Sequence, residues 1–210
     1  MKLRYKKLVI IITVITLGLG FFILTLIPTG GSAPNAAEEA ELKLNENPDI
    51  NKLISDYYAA KKTVNIEAMS SLVSAPDQIN KEKFTAMAEY VEDYQNFNCY
   101  VIEDEQSHGY CVFVKYDTKL KNISTLAPCF AFYYVTTTSE GNYIIYLSAL
   151  DEAQVDFINS AKKNSEVVKL KEEVKQKTQE LINSDLSFKQ FYQKIDSQNK
   201  SATASGAAAQ

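Results

Sequence analysis

A chain of 210 residues, 46% hydrophobic and 11% aromatic, is long enough for one domain with a real core plus tails. Its formal charge is −4, but four of its 22 basic residues, Lys2, Arg4, Lys6 and Lys7, sit at the extreme N-terminus with no acidic neighbour. The remainder carries 18 basic residues against 26 acidic ones, a balance of −8 that repels phosphate backbones and excludes nucleic acid as a natural partner.

Behind the basic head runs Leu8 to Ile27, apolar throughout and without a charge. About 20 such residues is what a helix needs to cross a bilayer core, and positive charge stays on the cytoplasmic side. Residues 1–28 are therefore expected to be a cytoplasmic head and a single-pass transmembrane anchor in the cell membrane, with everything after Pro28 extracytoplasmic. A cleaved secretory signal is the alternative, but its apolar core normally spans about 7–15 residues and ends at a small-x-small site. Here the nearest such site, Gly31-Ser32-Ala33, is followed by Pro34, which disfavours cleavage. Residues 29–47, with Gly30-Gly31-Ser32 and then Glu38, Glu39 and Glu41, read as a flexible linker.

The folded part opens at Asn47-Pro48-Asp49, a cap, a first-turn proline and a dipole-compatible acid. Ile50, Leu53, Ile54, Tyr57 and Tyr58 then recur at helical spacing. A second helix follows Asn65 and buries Ile66, Met69, Leu72 and Val73 before Pro76 closes it. A third starts near Asn80 and is expected to bury Phe84, Met87, Ala88, Val91 and Tyr94. After Asn96 the pattern becomes that of strands. Phe97–Glu103 pairs with Tyr110–Leu120 across a turn at 106–109, and Cys129–Thr138 pairs with Tyr143–Ala149 across 139–142. The last two are apolar at nearly every position, as in strands covered on both faces. In the Tyr110–Leu120 strand, Tyr110, Val112, Val114, Tyr116 and Leu120 alternate with a wetter set, Cys111, Lys115, Asp117 and Lys119. The expected class is α+β, three helices on one side of a curved antiparallel sheet of about four strands, over residues 48–150.

A C-terminal helical extension, 151–196, follows. Asp151 and Gln154 form a capping box and Leu150 with Val155 a hydrophobic staple. A longer helix from about Glu166 to Ile182 carries Val167, Leu170, Val174 and Leu181 on one stripe, and Phe188, Phe191, Tyr192 and Ile195 make a last short amphipathic piece. Residues 197–210, built of Ser, Ala, Asn and Gln, read as a disordered tail.

The three cysteines are an odd number for an oxidising compartment. Cys99 and Cys111 flank a hairpin tip and are candidates for one disulfide; the alternative is that Cys99, Cys111 and Cys129 are all small buried hydrophobes. No zinc-type spacing occurs, His108 is the single histidine, and no metal or cofactor is expected.

Ile54-Ser55-Asp56-Tyr57-Tyr58-Ala59-Ala60, followed by Val64-Asn65-Ile66-Glu67-Ala68-Met69-Ser70-Ser71-Leu72, resembles the opening of the nuclear transport factor two-like superfamily, where a helix ending in Tyr-x-Ala leads through a polar step to a helix ending in Leu. Tyr110 to Asp117 is similar to that superfamily's long second strand. The resemblance covers about Asn47 to Ala149 and implies a cystatin-like cone. With an anchor in front, the chain looks like a membrane-anchored bacterial member, distantly like the TcpC-type conjugation proteins, although those carry two such domains and this chain one. The fold is shared by enzymes, binding modules and scaffolds, so it carries little functional information by itself.

The leading expectation is a non-catalytic, membrane-tethered interaction or assembly module of a secretion, conjugation or envelope complex, with a protein partner or self-association. Its binding surface would be the open sheet face and the cone mouth, with Tyr58, Tyr94, Tyr116, Tyr134 and Tyr146 as lining, unless those rings only fill the core. An isomerase- or cyclase-like enzyme is the alternative, with Tyr57 or Tyr58 as phenol and Glu103 or Asp117 as base, although both acids sit near strand ends where solvated surface is the ordinary expectation. A further alternative is a site for a small apolar ligand inside the cone.

Overall fold

Asparagine and aspartate decide where the helices begin. In a computed structural model, which describes residues 40–104 and 107–195, Asn47 opens α1 (Pro48–Lys62) by accepting from the amides of Asp49 and Ile50 at 3.1 Å. Asn65 caps the short α2 (Ile66–Ser70) and Asn80 caps α3 (Lys81–Ala88) in the same way, at 3.0 and 2.8 Å. Asp151 and Gln154 complete the expected capping box at the start of α4 (Glu152–Ala161), and Asn164 caps α5 (Ser165–Ser184). A last helix, α6, spans 186–195. Each cap supplies an acceptor to amides that the first helical turn leaves unpaired.

The strands form one antiparallel sheet in the order β1 (Lys43–Leu44), β2 (Val91–Asp104), β3 (Gly109–Leu120), β4 (Leu126–Thr137) and β5 (Tyr143–Ile145). The α+β class and the antiparallel sheet stand, with five strands in place of four. The additional one, Lys43–Leu44, lies in the stretch read as linker and pairs with Val101 and Tyr100. Asn45 holds it there, its amide donating to the Cys99 carbonyl and its side chain accepting from the Cys99 amide, both at 2.8 Å.

β2 starts earlier than expected. Val91 and Tyr94, assigned to the third helix by their spacing, are strand residues: the helix stops at Ala88, and the Tyr90 carbonyl accepts from Lys121 at 2.9 Å, which ties the chain to the sheet. Register shifts between Val91 and Asp93 and between Gln95 and Asn98, with Asn96 at φ 57°, mark bulges. Bulges bend and twist a strand, and they also spoil the outer edge of β2 as a template for another chain.

The largest departure concerns the faces of the sheet. α1, α2, α3 and α6 cover one face, over Val101, Val112, Val114, Tyr116, Cys129 and Tyr133. The expectation of helices on one side only is corrected: α4 and α5 cover the opposite face, over Ile102, Cys111, Phe113, Phe130 and Tyr134. The reason is energetic. Phe113 and Phe130 alternate onto the second face, and burying such a ring contributes about 1.5–3 kcal/mol each, so the C-terminal helices serve as its lid. Leu150 and Val155, expected as a staple, are both 40% exposed. The apolar run Leu8–Ile27 and the tail 197–210 lie outside the described residues. Among the described residues, no helix is long and apolar enough to cross a membrane.

Candidate functional site

Helical spacing on α1 places Tyr57, Tyr58 and Lys61 on the side that meets the sheet, where strand alternation brings up Tyr94, Tyr116, Thr118, Cys129 and Tyr133. Tyr58 is the centre. It is 1% exposed and its ring lies 4.8–6.2 Å from those of Tyr57, Tyr94, Phe97, Tyr116 and Tyr133. Its hydroxyl accepts from Tyr133 at 2.9 Å and is hydrogen-bonded to Tyr116. Cys129 continues the network, paired with Thr118 Oγ1 at 3.2 Å. Burial, reinforced by the neighbouring phenols, pushes the hydroxyls of Tyr58, Tyr116 and Tyr133 well above the ordinary value, and burial pushes Tyr57 up to about 12. Tyr58, Tyr116 and Tyr133 are neutral and hydrogen-bonded, and as such they cost little to bury.

Lys61 is the exception. Its side chain is 3% exposed, and its ammonium stands over the rings of Tyr58 and Tyr94 at 4.7 and 4.8 Å. Among the described residues no carboxylate pairs with it. Burial lowers its pKa to about 8, with the nearby Cys129 acting in the opposite direction and Lys83 in the same one. The two rings offset part of the desolvation through their negative faces. Burial likewise pushes the Cys129 thiol up to about 11 against the hydrogen bonds from Thr118 and Tyr116, so the sulfur is a poor nucleophile.

The five tyrosines proposed as a lining divide into two sets. Tyr58, Tyr94 and Tyr116 meet on the α1 face, whereas Tyr134 and Tyr146 meet each other, at 5.9 Å and edge-on, on the α4 face beside Phe157. The sheet itself lies between them. Tyr134 is fixed by a close approach: a Cβ on Gly109 would stand 2.1 Å from the Tyr134 hydroxyl, so only glycine fits there.

The acids of the enzyme reading stand apart from the phenols. Asp117 alternates away from Tyr116 and accepts from Asn96 at 2.8 Å, while exposed Glu103 accepts from Tyr110 at 3.1 Å. Tyr110 and Tyr116 are six positions apart on β3, about 20 Å along the strand. His108 is exposed in the β2–β3 turn at φ 52°. Cys99 and Cys111 form no disulfide. Cys99 lies opposite Val114 and Cys111 opposite Ile102, an odd offset that points them to opposite faces, and all three thiols are free and buried. Among the described residues, no group of three or more His, Cys, Asp or Glu side chains converges as a metal site.

The sequence reading passed over Lys61, Tyr133, Thr118 and Cys129 as partners. A signal existed for Lys61, which falls four residues after Tyr57 and three after Tyr58, on the buried stripe of α1. Comparison with protein-family models, with curated proteins and with solved structures gives no match.

Proposed function

We propose that the chain is a membrane-tethered, extracytoplasmic module of the nuclear transport factor two-like kind, which works through protein contacts on its outer surface and carries out no chemistry in its core. The tether rests on the four basic residues and the uncharged run from Leu8 to Ile27. The superfamily reading is supported by α1–α3 preceding a bent antiparallel meander and packing on a single face of it. The observation that carries the contact reading is the filled tyrosine cluster: Tyr58, Tyr116 and Tyr133 are 1–4% exposed, pack ring against ring and use their hydroxyls on one another. Such rings are core, which leaves the partner surface outside.

Two measurements test this. Alkaline extraction of membranes should leave the full chain in the pellet, and protease added to intact protoplasts should remove the domain; release by alkali would end the tether. In-cell crosslinking followed by mass spectrometry should recover the same protein partners repeatedly, and recovery of none would end the contact reading.

A second reading, a small-ligand site in the cone, is favoured by Lys61 alone. A buried ammonium without a carboxylate gains from an anionic ligand, which would raise the melting temperature by mass action. A flat thermal response across a library of small carboxylates and phosphates would remove it.

A further inference from the structure

We propose that α5 and α6 are two halves of one helix held bent at Asp185, and that the chain self-associates by exchanging α6 with a second copy. This rests on the contact reading above and names its partner. Asp185 is the one non-helical residue between the two helices, at φ −114° and ψ 110°. Its own amide already makes the helical bond to the Leu181 carbonyl, at 2.9 Å. The apolar pattern ignores the break: Val167, Val174, Leu181, Phe188 and Ile195 follow one another at intervals of seven, a period that belongs to a continuous helix. What keeps the bend is local. Asp185 accepts from the Phe188 amide at 3.0 Å and from the Thr125 hydroxyl, and α6 lays Phe188, fully buried, into the core of the α1 face with Phe191 against Tyr90 at 5.8 Å.

If Asp185 takes helical angles, the amides of 186–188 find the carbonyls of 182–184, and a helix over 165–195 results, about 46 Å long. Its last ten residues then project about 15 Å beyond the sheet at the β3–β4 turn and expose Phe188. The seat they leave fits another α6 by construction, because the contacts that Phe188 and Phe191 make with the α1 face can be remade by the helix of a second copy, and only the cap at Asp185 is exchanged for helical bonds. Exchange through a short hinge therefore costs little beyond association itself.

The test uses full-length chains in membranes. Chains carrying Tyr90→Cys and Phe191→Cys separately are coexpressed and treated with a short bis-maleimide; a chain carrying both reports whether the seat is intact. Exchange predicts a crosslinked dimer from the mixed pair and none from either substitution alone. Asp185→Ala, which removes the cap and favours the straight helix, should raise that dimer about fivefold to tenfold, and a Gly-Ser-Gly insertion after Asp185 should abolish it. Crosslinking only within the doubly substituted chain, with Asp185→Ala included, would overturn the exchange, as would the absence of any link between the two introduced thiols. Membrane fractionation of the same cells reads the tether separately, so the two proposals fail independently.

Discussion

The two faces of the sheet are buried to similar depth but differ in where their polar groups lie. Under α4 and α5 the middle is hydrocarbon, with Phe113 stacked near Phe130 and tilted against Phe132 at 6.1 and 5.3 Å and Val167, Val174 and Ile158 closing over them, while the Tyr134 hydroxyl, the Cys111 thiol and the Lys162 ammonium, 4.3 Å over Phe132, do not join into one network. Under α1 the core carries phenols, a thiol and an ammonium, joined by hydrogen bonds and ring contacts. The difference teaches where each face takes its specificity. Hydrocarbon packing tolerates exchange at constant volume, whereas a buried polar network admits one arrangement because each misplaced group is left unsatisfied.

The comparison can be broken at four points. Phe113→Ala should have the largest effect, a loss of about 3–5 kcal/mol in denaturant unfolding, since it empties the hydrocarbon middle of the face under α4 and α5. A loss below about 1 kcal/mol would mean that α4 and α5 do not seal that face. Lys61→Met should act in the opposite direction and stabilise the protein by about 3 kcal/mol at pH 7, because the folded state holds the ammonium at a pKa of about 8 against an ordinary 10.5. Between those values the unfolded chain binds the extra proton, so wild-type stability gains on Lys61→Met as pH rises from 8, and the two curves converge near 10.5. Buried tyrosines, whose raised values work against stability above about pH 10, are common to both proteins and cancel in the difference. Parallel curves from about pH 7 to 10 would show that Lys61 is solvated. Tyr133→Phe should cost about 1–2 kcal/mol by removing the hydroxyl that donates to Tyr58, and no change in urea midpoint would show the Tyr58–Tyr133 bond to be dispensable. Asp151→Ala should cost the least, about 1 kcal/mol, and should raise hydrogen exchange in the first turn of α4 ahead of the rest.

Much of what rests on neighbours in the chain was legible in the sequence. Asn47, Asn65, Asn80 and Asp151 cap because a side-chain acceptor reaches amides two or three residues on, and the alternation in β3 sorts Val112, Val114 and Tyr116 from Cys111 and Lys115 because strand side chains alternate, although Cys111, read as the wetter side, is fully buried under α4 and α5. Spacing also misled where two periods coincide. Val91 and Tyr94 lie three apart, which suits a helix, but the chain had already turned into β2.

The tertiary structure alone decided which elements share a face. No local rule sends α4 and α5 across the second face of the sheet while α6 returns to the first, separates Cys99 from Cys111, or divides Tyr58 and Tyr116 from Tyr134 and Tyr146. The helical stripe marks Lys61 as inward-facing, but it does not say that the ammonium will lie over Tyr58 and Tyr94, which arrive from a helix and a strand far apart in the chain. Caps and periodicity act over a few residues and are written in the sequence there. The covering of a face depends on which apolar surface is left over once every other surface has found its partner, and that is a property of the whole chain.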